Sequence, residues 1–178
     1  MFEDDIEELK TIERGIFDKE WHQIYGPFTL VVGGHEFIAY PTQNIPLSAK
    51  RLYSELILTH FDLLIDVYNS LKSYDYIALK YVENSWTWLE IQVENDILVL
   101  SELNYETTIL KDLFIIDKSV LKIASFGSFS NIRISKIDFL SEIRIKTIQF
   151  FEEIQGINSN ILDSVCFSKV LNFYNIYK

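Results

Sequence analysis

The sequence is poor in the residue types that build disulfides, metal sites and covalent catalytic centres. It has one cysteine, Cys166, so no disulfide within the chain is possible and nothing indicates an oxidising compartment. Its three histidines (His22, His35 and His60) lack a second ligand at metal-binding spacing. We therefore expect no cofactor and no bound metal.

Targeting and membrane-spanning signals are also missing. No positively charged start precedes an apolar segment, and no uncharged apolar run approaches the roughly 20 residues that cross a bilayer. The sequence therefore predicts a cytoplasmic protein with no membrane partner. With 178 residues, 48% hydrophobic and 15% aromatic, and with no repeat or linker, it predicts a single domain over residues 1–178.

Positive charge is scarce in two segments. Residues 1–20 hold eight acids and three bases, and residues 81–110 hold six acids and no Lys or Arg, within a chain whose formal net charge is −10. Because a phosphate backbone attracts the opposite sign, this distribution argues against a nucleic-acid partner and favours a basic protein. The alternative is that the acidity only keeps the protein in solution.

The segment 86–103 has the pattern of a β-hairpin. Residues 86–94 alternate with a period of two, which places Trp86, Trp88 and Glu90 on one face and Leu89, Ile91 and Val93 on the other. Asn95-Asp96 predicts a tight turn and Ile97–Leu103 the returning strand. A two-residue turn would place Ile97, Val99 and Leu103 on the Trp/Glu face, whereas a three-residue turn would place Leu98, Leu100 and Glu102 there.

The remaining pattern predicts an α+β fold, with a mainly antiparallel sheet built from hairpins. One hairpin turns at Gly33-Gly34, because glycine accepts the positive φ that such turns require. Other predicted strands are Tyr76–Val82, Thr107–Ile116, Val120–Ser125 and Ile132–Ile137. The sheet is expected to pack against one long helix at Leu47–Lys72 and two C-terminal helices at Asp138–Gln155 and Asn160–Tyr174, with a short surface helix within Met1–Arg14.

Enzymatic chemistry finds little support. Cys166 lies between Val165 and Phe167, as a small buried hydrophobic residue would, so a thiol nucleophile is disfavoured. Glu90 and Glu102, on adjacent predicted strands, could act as an acid and base pair facing a cleft. No motif selects them, so we predict that the chain is not an enzyme.

Recognition of a partner is the function that the acidic hairpin favours. Large aromatic residues with acids around them suit a binding patch for a basic protein, with the aromatic rings as anchors and the charges steering the approach. The alternative places Trp86 and Trp88 beneath the C-terminal helices and the glutamates at the sheet edge. The predicted partner-binding residues are Trp86, Trp88, Glu90, Glu94, Asp96 and Glu102.

Residues 26–106 resemble a known class of proteins. A Gly-Pro-Phe-x-Leu-Val-Val-Gly-Gly hairpin at Gly26–Gly34, a long amphipathic helix and Trp-bearing acidic strands follow one another. This arrangement resembles immunity proteins of bacterial polymorphic-toxin systems, including those of contact-dependent growth inhibition. The resemblance implies a protein that is not itself an enzyme and binds a cognate toxin domain, often a basic nuclease, inside the producing cell. Residues 107–178 lie outside it.

The sequence therefore predicts a binding protein that neutralises a basic toxin domain by covering its active or substrate-binding surface. Two alternatives stay open. The chain could be a structural or regulatory subunit of a larger assembly, using the acidic patch or the Leu47–Lys72 helix. It could also be a small carboxylate-dependent hydrolase, which a pocket pairing Glu90 with a second acid or a histidine would favour. The oligomeric state is left open.

Overall fold

The computed structural model describes residues 1–41, 45–82, 86–106 and 112–178. The α-helices are α1 (Glu3–Thr11), α2 (Arg14–Ile16), α3 (Leu47–Arg51), α4 (Ile57–Ser70), α5 (Lys136–Asn158) and α6 (Ser168–Tyr177). The strands are β1 (Tyr25–Gly26), β2 (Leu30–Val32), β3 (His35–Ile38), β4 (Glu55–Leu56), β5 (Tyr76–Lys80), β6 (Thr87–Glu94), β7 (Ile97–Asn104), β8 (Phe114–Ile115), β9 (Ser125–Phe126) and β10 (Ile132–Ser135). A π-helical turn spans Phe17–Trp21, and 3-10 turns span Lys118–Leu121, Ser159–Asp163 and Val165–Phe167.

The chain folds as the predicted α+β class, with helices and a mainly antiparallel sheet. Contacts between Cα atoms divide it into two compact units. Unit 1 comprises Met1–Phe28, Tyr40–Ile65 and Glu142–Lys178, and unit 2 comprises Thr29–Ala39 and Asp66–Ser141. The prediction of a single domain over residues 1–178 stays a prediction.

Unit 2 is built on an antiparallel sheet that has six strands among the described residues. Its order is β10-β7-β6-β5-β8, and β9 also pairs with β7. In the central hairpin Glu94 pairs with Ile97, so Asn95 and Asp96 form a two-residue turn, with Asn95 at φ 58°. The predicted hairpin is thus confirmed, and of its two registers the one with Val99 on the Trp/Glu face is observed.

One face of this sheet carries a buried apolar cluster. Its members come from β5, β6, β7, β8 and the Lys118–Leu121 turn. They are Tyr76, Ala78, Trp88, Leu103, Ile115 and Leu121. The 3-10 turn begins where the Asp117 carboxylate accepts a hydrogen bond from the Ser119 amide at 2.9 Å. The predicted extended segment Val120–Ser125 is therefore wrong over its first residues, and this turn, not a strand, contributes Leu121 to the cluster.

The Gly33-Gly34 hairpin joins β2 to β3 as predicted. Gly33 has φ 56° and Gly34 has φ 86°, the left-handed conformations that suit a two-residue turn. A Cβ on Gly33 would overlap the side chain of Ile132 on β10, whereas a Cβ on Gly34 would meet nothing within 4 Å. The hairpin tip therefore lies so close to β10 that only glycine fits at position 33.

Unit 1 has a core of aromatic rings. The Phe61 and Phe150 rings stack at 4.4 Å between centroids, and Phe167 lies 5.7 Å from Phe17. Buried Asn158 donates hydrogen bonds of 2.9 Å to the carbonyls of Leu9 and Ile12, which satisfies the end of α1.

The long helix predicted at Leu47–Lys72 is interrupted. The chain leaves α3 after Arg51, pairs Glu55 and Leu56 with β1, and only then enters α4. Backbone pairing with β1 and the 2.9 Å contact between the buried Glu55 carboxylate and His60 Nε2 stabilise this break. His60 is packed, as its position on an apolar stripe indicates.

The C-terminal helices also differ from their predicted limits. Helix α5 runs past Gly156 and ends where Asn158 turns to φ −156° and accepts from the Asn160 amide. The predicted final helix begins as two 3-10 turns separated by Ser164, whose extended conformation breaks the helix. Of the predicted strand Thr107–Ile116, residues 107–111 lie outside the described residues, and Phe114–Ile115 is a strand.

Candidate functional site

The two tryptophans of the predicted patch lie in different environments. Trp86, just before β6, is 48% exposed, whereas Trp88 is 0% exposed and belongs to the buried cluster. Glu90, on the same face as Trp88, is 5% exposed. The expectation that both indoles lie open to solvent is therefore wrong for Trp88, because Leu103 and Leu121 belong to the same cluster.

The exposed members of the patch do not share a surface. Glu94 and Asp96 lie at the turn of the hairpin, while Trp86 precedes the opposite end of β6. Eight steps along an extended strand, each about 3.3 Å, place Trp86 about 26 Å from Glu94. Glu94 Oε2 also pairs with Arg133 Nη1 at 2.7 Å, with both side chains more than half exposed, so part of its charge is compensated.

Glu102 lies on the other face of the sheet. Its register partner is Leu89, not Glu90, so the sheet itself separates the two glutamates. The Glu102 carboxylate accepts hydrogen bonds from the Ser128 amide at 3.0 Å and from Ser128 Oγ at 2.7 Å. The acid and base pair of Glu90 and Glu102 considered from the sequence is therefore not formed.

Glu90 instead lines a cleft on the Trp88 face of unit 2, which we call the Glu90 cleft. Its volume is about 490 Å³. Strands β6 and β7 contribute Glu90, Gln92 and Leu103. The segment that follows Asp117 contributes the rest of the lining: Lys118, Ser119, Leu121, Lys122, Ala124 and Phe126.

Two buried polar side chains, Tyr76 and Trp88, lie on the same sheet face as Glu90 but do not line the cleft. Trp88 Nε1 is buried without a hydrogen-bond partner in the described structure, and the Tyr76 hydroxyl lies beside the Glu90 carboxylate. Burial raises the pKa of the Tyr76 phenol, and the nearby Glu90 carboxylate raises this pKa further, since a second negative charge beside Glu90 is unfavourable. The phenol therefore stays protonated and remains a hydrogen-bond donor next to a carboxylate.

A lysine from the facing segment reaches over the same sheet face. Lys118 Nζ donates to Gln92 Oε1 at 2.8 Å and lies 5.9 Å from the centre of the Tyr76 ring. Among the described residues, no histidine and no acid other than Glu90 lines the cleft. The arrangement therefore offers charges of both signs, but not the paired acid and base that a carboxylate-dependent hydrolase would use.

A second cleft, which we call the N-terminal cleft, lies in unit 1. Its volume is about 460 Å³. The π-helical turn and β1 supply its aromatic side chains, and α1 and α3 supply charged ones. The lining residues are Met1, Asp5, Leu9, Glu20, Trp21, Ile24, Tyr25, Arg51 and Ser54.

The charged side chains that line the N-terminal cleft are Asp5, Glu20 and Arg51. Arg51 bridges Asp5 at 3.0 Å and Asp4 at 2.8 Å. The pKa of its guanidinium is raised, first by the hydrogen bond that it donates to Asp5 and then by the charges of both carboxylates. Glu20 is exposed beside Trp21. The cleft thus combines aromatic surface with a carboxylate that no ion pair within the described ranges neutralises.

Sequence reasoning missed this cleft. The sequence showed that segment 1–20 is acidic, but the predicted aromatic anchors were only those of the hairpin. Trp21 and Tyr25 follow the acidic segment directly, and Trp21 ends a π-helical turn, a rare element that often accompanies functional sites. The pairing of acids with nearby aromatics, applied to residues 17–25, was the signal that could have found it.

Comparison with protein-family models, with curated proteins and with solved structures gives no match. Over the described ranges, no cluster of three or more His, Cys, Asp or Glu side chains could hold a metal ion. No helix in that part of the chain is both long enough and apolar enough to cross a bilayer.

Proposed function

We propose that this chain is a cytoplasmic, non-enzymatic binding protein that neutralises a cognate basic toxin domain by covering its active or substrate-binding surface. The N-terminal cleft carries the proposal. It joins the aromatic surface of Trp21 and Tyr25 to the carboxylates of Glu20 and Asp5.

The physical argument is complementarity to a cationic side chain. A lysine or arginine gains about 0.5–2 kcal/mol over an aromatic face, and a neighbouring carboxylate adds a charge-assisted hydrogen bond. The chain shows the same arrangement internally, since Arg51 lies 4.9 Å over the Phe2 ring while it bridges Asp4 and Asp5. A cationic side chain of a partner would find similar groups at Trp21 and Glu20.

Charge outside the cleft supports the same partner. The net charge of −10 attracts a basic domain over the Debye length and raises its association rate. Exposed Trp86, Glu94 and Asp96 remain predicted contacts, although they lie apart on the hairpin.

The test is protection from the toxin domain. The neighbouring reading frame is first identified, and the C-terminal domain of its product is expressed in a bacterial host, alone or together with this chain. We expect growth arrest by the domain alone and recovery when the two are co-expressed. If co-expression does not restore growth, or if the domain does not arrest growth, the proposed function is wrong.

The contribution of the N-terminal cleft is tested with one double variant. Trp21→Ala with Glu20→Lys should weaken binding of the domain at least ~10-fold, about 1.4 kcal/mol. Its matched control is Glu13→Lys, which changes an exposed acid that does not line the cleft. Equal affinities for the double variant and the control would place the binding surface elsewhere.

The subunit alternative has one observation of its own. Leu52 is 84% exposed, and the neighbouring side chains of Leu47 and Tyr53 are about half exposed. An exposed apolar patch of this kind is typical of an interface. Light scattering during gel filtration decides this point: an oligomer that Leu52→Ser converts to monomer would favour the subunit, and a monomeric wild-type chain would exclude self-assembly through this patch.

A further inference from the structure

The burial of Glu90 in unit 2 needs an explanation. A carboxylate removed from water is strongly disfavoured unless a positive charge or hydrogen bonds compensate it. Glu90 is 5% exposed, and within the described ranges it forms no ion pair. The Tyr76 hydroxyl, whose pKa the Glu90 carboxylate raises partly through a hydrogen bond between the two groups, is a neutral neighbour and supplies no positive charge.

Another buried polar group on the same face is unsatisfied within the described ranges. Trp88 and Glu90 are neighbours on one face of β6, and Tyr76 lies opposite Gln92 on β5. The indole Nε1 of Trp88 is buried without an acceptor among the described residues. One unsatisfied donor beside a buried carboxylate that has a phenol neighbour but no ion pair within the described ranges favours the binding of a further polar group.

The facing wall has the opposite charge. Lys118 and Lys122 both line the cleft, and Lys118 is held over the floor by its 2.8 Å hydrogen bond to Gln92. Lys122 is exposed and forms no ion pair within the described part of the chain. An ammonium group at the wall and a carboxylate at the floor therefore face one space of about 490 Å³.

Apolar side chains complete the cleft. Leu103, Leu121 and Phe126 line it beside these charges, and Phe126 is 61% exposed at its mouth. Such a mixture suits a small molecule that has an ammonium group, a carboxylate and an apolar substituent. It does not suit a purely apolar ligand, which would leave Glu90 and Lys122 desolvated and unpaired.

We propose that the Glu90 cleft binds a small zwitterion, an α-amino acid with an apolar side chain. The amino group lies against the Glu90 carboxylate, the carboxylate against the ammonium groups of Lys118 and Lys122, and the side chain along Leu121 and Phe126. This site is independent of the N-terminal cleft and does not rest on the proposed function.

Calorimetry with the purified full chain tests the proposal. The probes are L-leucine, L-phenylalanine, L-leucinamide, which lacks the carboxylate, and N-acetyl-L-leucine, which lacks the ammonium group. We expect a Kd below about 1 mM for one of the two free amino acids, and binding at least ~10-fold weaker for both single-charge analogues of leucine. If L-leucinamide binds as tightly as L-leucine, the cleft is a simple amine site. If N-acetyl-L-leucine binds as tightly as L-leucine, it is a simple anion site. If no probe binds, the cleft holds only water. Each of these results overturns the proposal.

Variants test the residues. Glu90→Gln keeps the shape of the side chain and removes its charge, so affinity for the amino acid should fall at least ~10-fold while affinity for N-acetyl-L-leucine changes little. Lys122→Gln should weaken the amino acid and the acetyl derivative, but not the amide. Glu36→Gln changes an exposed acid of the same unit that does not line the cleft, so this variant is the matched control and should bind as the wild type does. Circular dichroism confirms that each variant is folded, and a folded Glu90→Gln chain with unchanged affinity refutes the role of Glu90.

Discussion

Glu102, one of the predicted partner contacts, forms hydrogen bonds within the fold, and these bonds give a prediction about stability. Glu102 and Glu94 both belong to the predicted binding patch, but their environments differ. The Glu102 carboxylate accepts two hydrogen bonds from Ser128, at 3.0 and 2.7 Å, and so holds the turn after β9. Glu94 pairs with Arg133 where both side chains are more than half exposed.

The magnitudes follow from these partners. A hydrogen bond to a charged group contributes about 1.5–3 kcal/mol when it is shielded from water, and an exposed ion pair contributes about 0–1 kcal/mol. Because the two bonds of Glu102 are partly exposed, Glu102→Ala should lower the free energy of unfolding by about 2 kcal/mol in total. Glu94→Ala should lower it by less than about 1 kcal/mol.

A substitution at Gly127 also tests the contribution of the Glu102 carboxylate. A Cβ at Gly127 would overlap Glu102 Oε1, so Gly127→Ala must displace the carboxylate from Ser128. Gly127→Ala should therefore cost about as much as Glu102→Ala, and the double variant little more than either single one. Gly156→Ala is the control, because a Cβ there meets nothing within 4 Å and alanine favours a helix by up to about 1 kcal/mol.

Urea unfolding, followed by circular dichroism, measures the stability of all five variants. The expected result is a midpoint shift at constant slope, converted to a free energy of unfolding. Additive costs of Glu102→Ala and Gly127→Ala would mean that the glycine and the carboxylate do not interact. If Glu102→Ala costs no more than Glu94→Ala, the hydrogen bonds from Ser128 do not stabilise the fold.

Two further predictions concern the turn of the first hairpin and the phenol of the Glu90 cleft. Gly33→Ala should lower the free energy of unfolding by about 2 kcal/mol more than Gly34→Ala does in urea unfolding. Both alanines would have positive φ, but only the Cβ at position 33 overlaps Ile132. Equal losses of stability would contradict the close approach of Gly33 to Ile132. Burial and the Glu90 carboxylate raise the pKa of Tyr76 above its ordinary 10.0, so the folded chain keeps the phenol proton longer than the unfolded chain does. Stability should therefore fall as the pH rises above about 10, and Tyr76→Phe should reduce that fall. An absorbance titration in which every phenol ionises near pH 10 would contradict the raised pKa.

The central hairpin was predictable because its signals are local. Period-two alternation over residues 86–94 defines two strand faces, and Asn95-Asp96 supplies a residue that tolerates positive φ. The Gly33-Gly34 turn was predictable for the same reason. Both depend on steric preferences within a few residues of the backbone.

The helices were predicted less well because distant partners decide their ends. The apolar spacing of residues 47–72 is helical throughout, yet pairing of Glu55 with β1 interrupts the helix. Likewise the predicted helix Asp138–Gln155 was expected to stop before Gly156, but α5 continues to Asn158, and Ser164 interrupts the segment predicted as the final helix. Propensity sets what a segment prefers, and contacts made by other segments choose among close alternatives.

The candidate sites show the same division. The amino-acid pattern alone placed Trp86, Trp88 and Glu90 on one face of a strand, because side chains of a β-strand alternate with a period of exactly two residues along the backbone. Which part of that face reaches water was decided by the turn that brings Leu121 into the cluster of Trp88, more than thirty residues away in the chain. Burial is a property of what packs on a residue, and no local pattern of the hairpin encodes the segment that covers it.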